Sequence, residues 1–356
     1  MYISHIHLKN FRGYHSLSLD FTRGINVFTG VNASGKTNLL EAIHYLSFAK
    51  SFRGVDDQQL IKNSETQAVI NAVVVTNTNQ TKINILIDQN GKKIQVNEKG
   101  ISKLSELNKI TNVIIFEPKD VNIFKDSPKN RRNYLDINIS KLNPIYGEVI
   151  SRVDHLIKER NELLKSETID QTQLSILTDQ LINEEKQVIT MRQEFVTKLN
   201  SVISKVAQAI TGDESKVNIV YLPFVKLDDY ENNAKKLYQD NLENDIKRKA
   251  TNVGVHREDF NLMMNEQNIA LNGSQGENRL MAIVLKLSPY FLVSDKANHP
   301  IVALDDVMSE LDNNHQKKLI DFLRKLDQVF ITATNLYISQ SAICEINKHQ
   351  IIRRKK

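Results

Sequence analysis

The run Gly30-Val31-Asn32-Ala33-Ser34-Gly35-Lys36-Thr37 sets two glycines, a lysine and a hydroxyl residue at the spacing that cradles nucleotide phosphates. Gly30 and Gly35 let the backbone turn so that successive N–H groups point at phosphate oxygens. Lys36 places an ammonium between the β- and γ-phosphates, and Thr37 offers a hydroxyl to Mg²⁺. The chemistry is ATP binding, with Gly30 through Thr37 and the following Asn38 as contacts. A second constellation lies far downstream: Gly273-Ser274-Gln275-Gly276, then the apolar Ile301 to Leu304 ending in Asp305-Asp306, then Ser309-Glu310-Leu311-Asp312. A buried strand fixes a carboxylate at its carboxyl end, where open α/β sheets place ligands. Asp305 is therefore assigned to Mg²⁺, directly or through water, and Asp306 to orienting or deprotonating the attacking water.

Elements must hold these residues in place. The apolar stretch Ile25 to Thr29 reads as the strand before the loop, and Asn38 to Phe48 as the helix after it, whose N-terminal dipole favours phosphate. Residues 2–9 and 16–22 read as two further strands. Alternating β-formers over Ala68 to Val75, Lys82 to Ile87, Lys93 to Val96 and Val113 to Phe116, with Asn90-Gly91 as a tight turn, predict an antiparallel sheet after that helix. From about 146 to 211 the pattern is helical. Leu174, Leu181, Val188, Phe195, Val202 and Ala209 recur every seventh residue, with Leu177 and Met191 beside them, after a polar break at Ser166 to Thr172. At ~1.5 Å per residue the longer helix is expected to span roughly 60 Å. Phe260 to Met264 and Ile269 to Leu271 read as strands, and Ser274 opens a helix through Leu287. Ile301 to Leu304, a helix over Asn314 to Leu326 and the strand Gln328 to Thr332 complete a β-α-β alternation. The expected division is 1–145 and 251–356 as the two parts of an α/β head, with 146–250 as an inserted helical arm.

Lysines and arginines outnumber acids 47 to 42, a net charge of +5 that leans towards a polyanionic partner. The start, Met1-Tyr2-Ile3-Ser4-His5, lacks the long apolar stretch of a signal peptide, and no run approaches a membrane span, so a cytoplasmic protein is expected. One cysteine, Cys344, excludes an internal disulfide framework and a cysteine metal cluster. The tail Arg353-Arg354-Lys355-Lys356 reads as a solvated end.

The ordered motifs resemble the ABC-type ATPase heads of the SMC-like class, and most closely the RecF family. The likeness rests on Asn10-Phe11-Arg12, the glycine-rich loop, Asn38-Leu39-Leu40-Glu41-Ala42-Ile43, Ser51-Phe52-Arg53, Ser127-Pro128 with Arg131-Arg132 and Leu135-Asp136, Gly254 with His256-Arg257, Ser274-Gln275-Gly276, and Leu304 to Asp312. The chain departs from the family pattern at Glu277 and Asn278, where glutamines are usual, at Asp126 for glycine and at Val255 for proline. The resemblance implies a P-loop α/β head with an antiparallel β subdomain and an inserted helical arm. It implies an ATP-gated homodimer in which Ser274, with Gln275 and Gly276, meets the γ-phosphate of the partner's nucleotide. It also places Arg12 and Asp312 at the nucleotide. Slow hydrolysis would serve as a switch, the DNA would be gapped, at single-strand to duplex junctions, and RecO and RecR would be partners in loading RecA. Lys125, Lys129, Arg131 and Arg132 form the candidate DNA-contacting cluster, and Lys247 to Lys249 a second basic run. Two alternatives use the same motifs: an SMC-like head acting on a protein partner, and a transporter ATPase subunit. Thr332 stands near where transporter ATPases carry a switch histidine, which argues against the latter.

Overall fold

The computed structural model describes residues 1–76, 79–101, 104–295 and 298–355. The first leg of the chain runs β1 (Tyr2–Phe11), β2 (Tyr14–Asp20), β3 (Gly24–Thr29), α1 (Lys36–Phe48), β4 (Gln67–Val75), β5 (Gln80–Asp88), β6 (Gly91–Val96), β7 (Lys99–Gly100), α2 (Ser105–Ile110) and β8 (Val113–Phe116). The middle leg holds α3 (Pro128–Leu142), α4 (Pro144–Lys165), α5 (Gln171–Asn200), α6 (Ile203–Thr211), β9 (Val217–Leu222), α7 (Tyr230–Asp240), α8 (Leu242–Arg248), β10 (Asp259–Met264), β11 (Gln267–Asn268), α9 (Ile269–Asn272) and α10 (Gln275–Leu287). The last leg adds β12 (Ile301–Leu304), α11 (Asn313–Leu323), β13 (Gln328–Ala333), β14 (Ala342–Asn347) and β15 (Gln350–Lys355).

Two compact units result. The first gathers Met1–Val121, Lys205–Glu214 and the chain from Arg279 onward. It contains an antiparallel sheet ordered β2-β1-β4-β5-β6-β7 and a second sheet ordered β15-β14-β3-β13-β12-β8. In the second sheet β14, β3, β13, β12 and β8 are parallel neighbours and β15 closes one edge antiparallel. Every residue of β12 and β13 is buried, as expected of strands covered on both faces. One apolar core runs from Ile3, Leu8 and Ile70 of the antiparallel sheet through Leu39, Ile43 and Leu46 of α1 to Phe28, Ala303 and Phe330 of the parallel sheet. Gln328 ties the two sheets together, accepting from the Ile3 N–H at 2.8 Å and donating to the Ile3 carbonyl at 2.8 Å. The P-loop strand thus sits between strands contributed by the last part of the chain.

The second unit comprises Asn122–Ser204 and Ser215–Asn278. Ion pairs and hydrogen bonds between α4 and α5 run in opposite sequence order, Tyr146 with Arg192, Arg152 with Glu184 and Arg160 with Thr178, so the two helices form an antiparallel hairpin. Its base is polar and buried. Arg192, 1% exposed, donates to Asp136, Glu258, the Tyr146 hydroxyl and the Val255 carbonyl. Strands β9, β10 and β11 form a small antiparallel sheet against it.

By packing, residues 122–145 and 251–278 fold with the helices, because α3 is fastened to β10 by Arg131–Asp259 and by Tyr134 against Phe260, and β10 pairs with β9, while 205–214 fold with the first unit. Element boundaries are corrected in two places. The long helix stops at Asn200, so α5 has 30 residues and spans ~45 Å. Beyond that break Ile203, Val206, Ala207 and Ile210 turn inward while Ala209 is exposed, so the seven-residue repeat does not continue. Ile269 to Leu271 is helical and not a strand, capped by the Asn268 side chain, which accepts from the Ala270 N–H at 2.9 Å. The backbone of the tail through Lys355 forms the edge strand β15, paired with β14, and Lys356 lies outside the described residues.

Candidate nucleotide site

The glycine-rich loop leaves the carboxyl end of β3 and enters α1 with backbone angles that demand its residues. Gly30 has φ 149°, Ala33 φ 63° and Gly35 φ 114°, all on the positive side that glycine enters most easily. The loop is also held closely. A Cβ on Gly30 would lie 2.1 Å from the Ile346 carbonyl oxygen, and one on Gly35 2.6 Å from the His349 ring and 2.9 Å from the Tyr14 hydroxyl. Lys36 bends back over the loop, donating to the carbonyls of Gly30 at 2.7 Å and Val31 at 2.9 Å. Burial lowers the pKa of its ammonium, while the carboxylates of Asp306 and Asp305 act to raise it. Ser34 Oγ is buried with no hydrogen-bond partner, which leaves an unsatisfied polar atom inside the cradle.

At the end of β12 the acids meet the loop. The Thr37 hydroxyl donates to Asp305 Oδ1 at 2.9 Å across 268 positions of sequence, and the Thr332 hydroxyl at the end of β13 donates to the same oxygen at 2.7 Å. Thr332 also accepts from the Asp306 N–H at 2.9 Å. Burial pushes the Asp305 carboxyl above the usual carboxylate range, against the two threonine hydroxyls and the charge of Arg53. A hydroxyl and a carboxylate in contact are the hard oxygen donors that suit Mg²⁺, so the pair fits the metal assigned to it. Asp306 adopts φ 50°, and its Oδ1 is buried without a partner. A cavity of about 240 Å³ lined by Phe116, Arg279, Ile283, Asp305, Asp306 and Val307 adjoins these acids.

In the second unit Ser274 occupies the N-cap position of α10. Its N–H donates to Glu277 Oε2 at 2.8 Å and its hydroxyl accepts from the Glu277 N–H at 3.2 Å. Gln275 and Gly276 are exposed, and nothing lies within 4 Å of a Cβ added to Gly276.

The family model described as "RecF/RecN/SMC N terminal domain" matches residues 2–352. A DNA replication and repair protein RecF of Streptococcus pneumoniae (strain CGSP14) is 36% identical over 341 residues, covering 94% of this chain and 93% of that protein. Its counterpart in Clostridium beijerinckii is 34% identical over 337 residues, with 94% and 92% covered. Among solved structures, the recombination mediator protein RecF with ATP, in the RecFOR pathway, superposes with a TM-score of 0.89 at 32% identity over 100% of this chain and 98% of that one. The chain belongs to the RecF family. An Smc head solved with a ScpA domain, 14% identical with a TM-score of 0.58, shares the fold.

The RecF-family residues expected around the nucleotide are placed unevenly. Arg12 is taken up within the protein: Nε and one terminal nitrogen grip the buried Glu41 carboxylate at 2.8 Å each, and the other nitrogen donates to the Gln59 carbonyl at 3.0 Å. Ser51 Oγ donates to the same glutamate. Asp312 caps α11, accepting from the N–H groups of Asn314 at 2.9 Å and His315 at 3.0 Å. The basic cluster divides. Lys125 and Lys129 are exposed, but Arg131 is 8% exposed and spends its guanidinium on both oxygens of Asp259 and on the carbonyls of Ile123, Phe124 and Asp126. The Arg131 guanidinium thus serves an ion pair within the protein, and no donor pair of its fork remains directed outward. Arg132 is half-buried and donates to the Glu258 carbonyl.

Sequence reading missed three supports of the loop. The Tyr14 hydroxyl donates to the Gly35 carbonyl at 3.1 Å, the His349 N–H donates to the Ser34 carbonyl at 2.8 Å, and Thr332 links the two acids. His349 sits at the β14–β15 turn with φ 62°, a placement that no motif spacing announces. Thr332 alone carried a signal, its position at the end of a strand expected beside Asp305.

Proposed function

We propose that this RecF-family chain is an ATP-operated mediator of DNA gap repair: it binds ATP and Mg²⁺, closes as a homodimer on DNA, and opens after slow hydrolysis. The observation that carries the reading is the Thr37–Asp305–Thr332 junction, which joins the phosphate loop to the acid pair through 2.9 and 2.7 Å hydrogen bonds. Support comes also from the similarity to a RecF solved with ATP.

In this reading Lys36 turns from its two carbonyl partners to the β- and γ-phosphate oxygens. Thr37 and Asp305 hold Mg²⁺, which when bound neutralises developing phosphate charge. Asp306 accepts the proton of the attacking water at its unpartnered Oδ1. Ser274 and the start of α10 receive the γ-phosphate of the partner's nucleotide, so ATP bridges two copies. The DNA is a gapped duplex, met in the cytoplasm, and RecO and RecR are the protein partners, in line with the pathway named for the solved relative.

Sedimentation of the full chain with and without ATP, Mg²⁺ and gapped duplex tests this. ATP is expected to convert monomer to dimer, and the dimer to bind the duplex. Lys36→Met abolishes both steps. Asp306→Asn keeps ATP binding and leaves a long-lived dimer with almost no turnover. A monomer at every ATP concentration rejects the shared site, and a dimer indifferent to gapped DNA rejects the DNA role.

A further inference from the structure

The cap of α10 sets a negative charge where the proposed mechanism needs to receive one. Glu277 and Ser274 satisfy each other's backbone: the carboxylate accepts the Ser274 N–H at 2.8 Å and the hydroxyl accepts the Glu277 N–H at 3.2 Å, a reciprocal capping box. The carboxyl is held below the usual range, first by that Ser274 N–H, so it is ionised at neutral pH. The neighbouring Asn278, 4% exposed, reinforces the turn by donating to the carbonyls of Gly273 and Ser274 at 2.9 Å each, and its Oδ1 is buried without a partner.

We propose that Glu277 is an electrostatic brake on ATP-bridged dimerisation: its carboxylate occupies the Ser274 N–H and the positive end of α10, and must be displaced before a partner's γ-phosphate reaches them. This rests on the shared-site reading above. Two anions cannot use one helix terminus without repulsion, so the brake raises the protein concentration at which ATP closes the dimer. A neutral glutamine at this position keeps the cap, because glutamine serves the same capping role, and removes only the charge.

Glu277→Gln and Glu277→Ala are compared with the unaltered residue in the full-length Asp306→Asn chain, by sedimentation with ATP and Mg²⁺ across a protein dilution series. Glu277→Gln is expected to lower the dimerisation midpoint about tenfold, with the difference shrinking as salt screens the charges, while ATP affinity of the monomer and melting temperature stay unchanged. Glu277→Ala removes cap and charge together and should also lower the midpoint. A dimer that forms equally in the Gln variant and loosens in the Ala variant would make Glu277 a helix cap only. If none of the three dimerises with ATP, the shared site itself is wrong and the brake falls with it.

Discussion

At the scale of single residues, the site is governed by which polar atoms are already satisfied. Asp305 accepts from two threonine hydroxyls, Arg12 is consumed by Glu41, and Ser34 Oγ and Asp306 Oδ1 are buried with no partner. The satisfied groups position the loop and the acids, and the unsatisfied ones are free to take a ligand in the proposed reading. Thr332 is the plainest positioning residue, since it orients Asp305 by donating and fixes the Asp306 backbone by accepting. Thr332→Val keeps the shape but strands the Asp306 N–H, a loss of about 1–3 kcal/mol for a buried unpaired donor. The variant should unfold at lower denaturant and require more Mg²⁺ for ATP hydrolysis, whereas Thr332→Ser should restore the Mg²⁺ requirement. Equal Mg²⁺ dependence in the valine variant and the unaltered chain would remove Thr332 from the site.

At the scale of elements, α5 shows how buried polarity organises the helical unit. Glu185 on this helix is fully buried, accepting from the Val255 N–H at 3.0 Å and the Tyr238 hydroxyl at 3.0 Å. Burial is the main cause that pushes its carboxyl up to about 8. The folded protein therefore keeps a proton that the unfolded chain sheds above its ordinary pKa of about 4.3, so this group's contribution falls as pH rises from there through about 8 and is flat beyond. Glu185→Gln removes that dependence. Its stability relative to the unaltered chain, measured by denaturant unfolding, should grow across the window and level off above it; a constant difference would mean that Glu185 is ionised throughout. The sequence announced much at this scale. The P-loop strand and helix, the β5–β6 hairpin and the buried strands were legible because a turn chemistry or an uninterrupted apolar run is local. The end of α5 was not, because the heptad pattern passes through Ser201-Val202 where the chain turns. Nor was the β15 edge, whose strand is set by backbone pairing with β14 and not by its basic composition. The Arg131 ion pair was not legible for the same kind of reason: its partner Asp259 lies 128 positions away and no spacing rule connects them.

For the whole molecule, net charge and individual contacts must be kept apart. A formal charge of +5 favours approach to DNA, but only outward-facing cations release counterions from phosphate. Lys125→Ala with Lys129→Ala should therefore flatten the dependence of log affinity for gapped duplex on log salt, by about 0.9 for each phosphate no longer neutralised, with stability changed by less than about 0.5 kcal/mol. Arg131→Ala should do the reverse, taking the guanidinium from Asp259 at a cost of about 1–3 kcal/mol with no direct change in slope. A flattened slope in a folded Arg131 variant would return that residue to the DNA surface. The order of strands in the parallel sheet has another consequence, for how the protein is made. The phosphate loop leaves the ribosome early, yet β3, which carries it, finds its neighbours β13 and β14 only after Gln328 and Ala342 have been synthesised. At roughly 5–20 residues per second, the ~300 intervening residues take about 15 seconds to a minute. Throughout that interval the nascent loop lacks the backbone of Ile346 and His349 that presses it into shape, so a ribosome-bound chain does not hold its phosphate loop in the folded conformation until its last strands emerge.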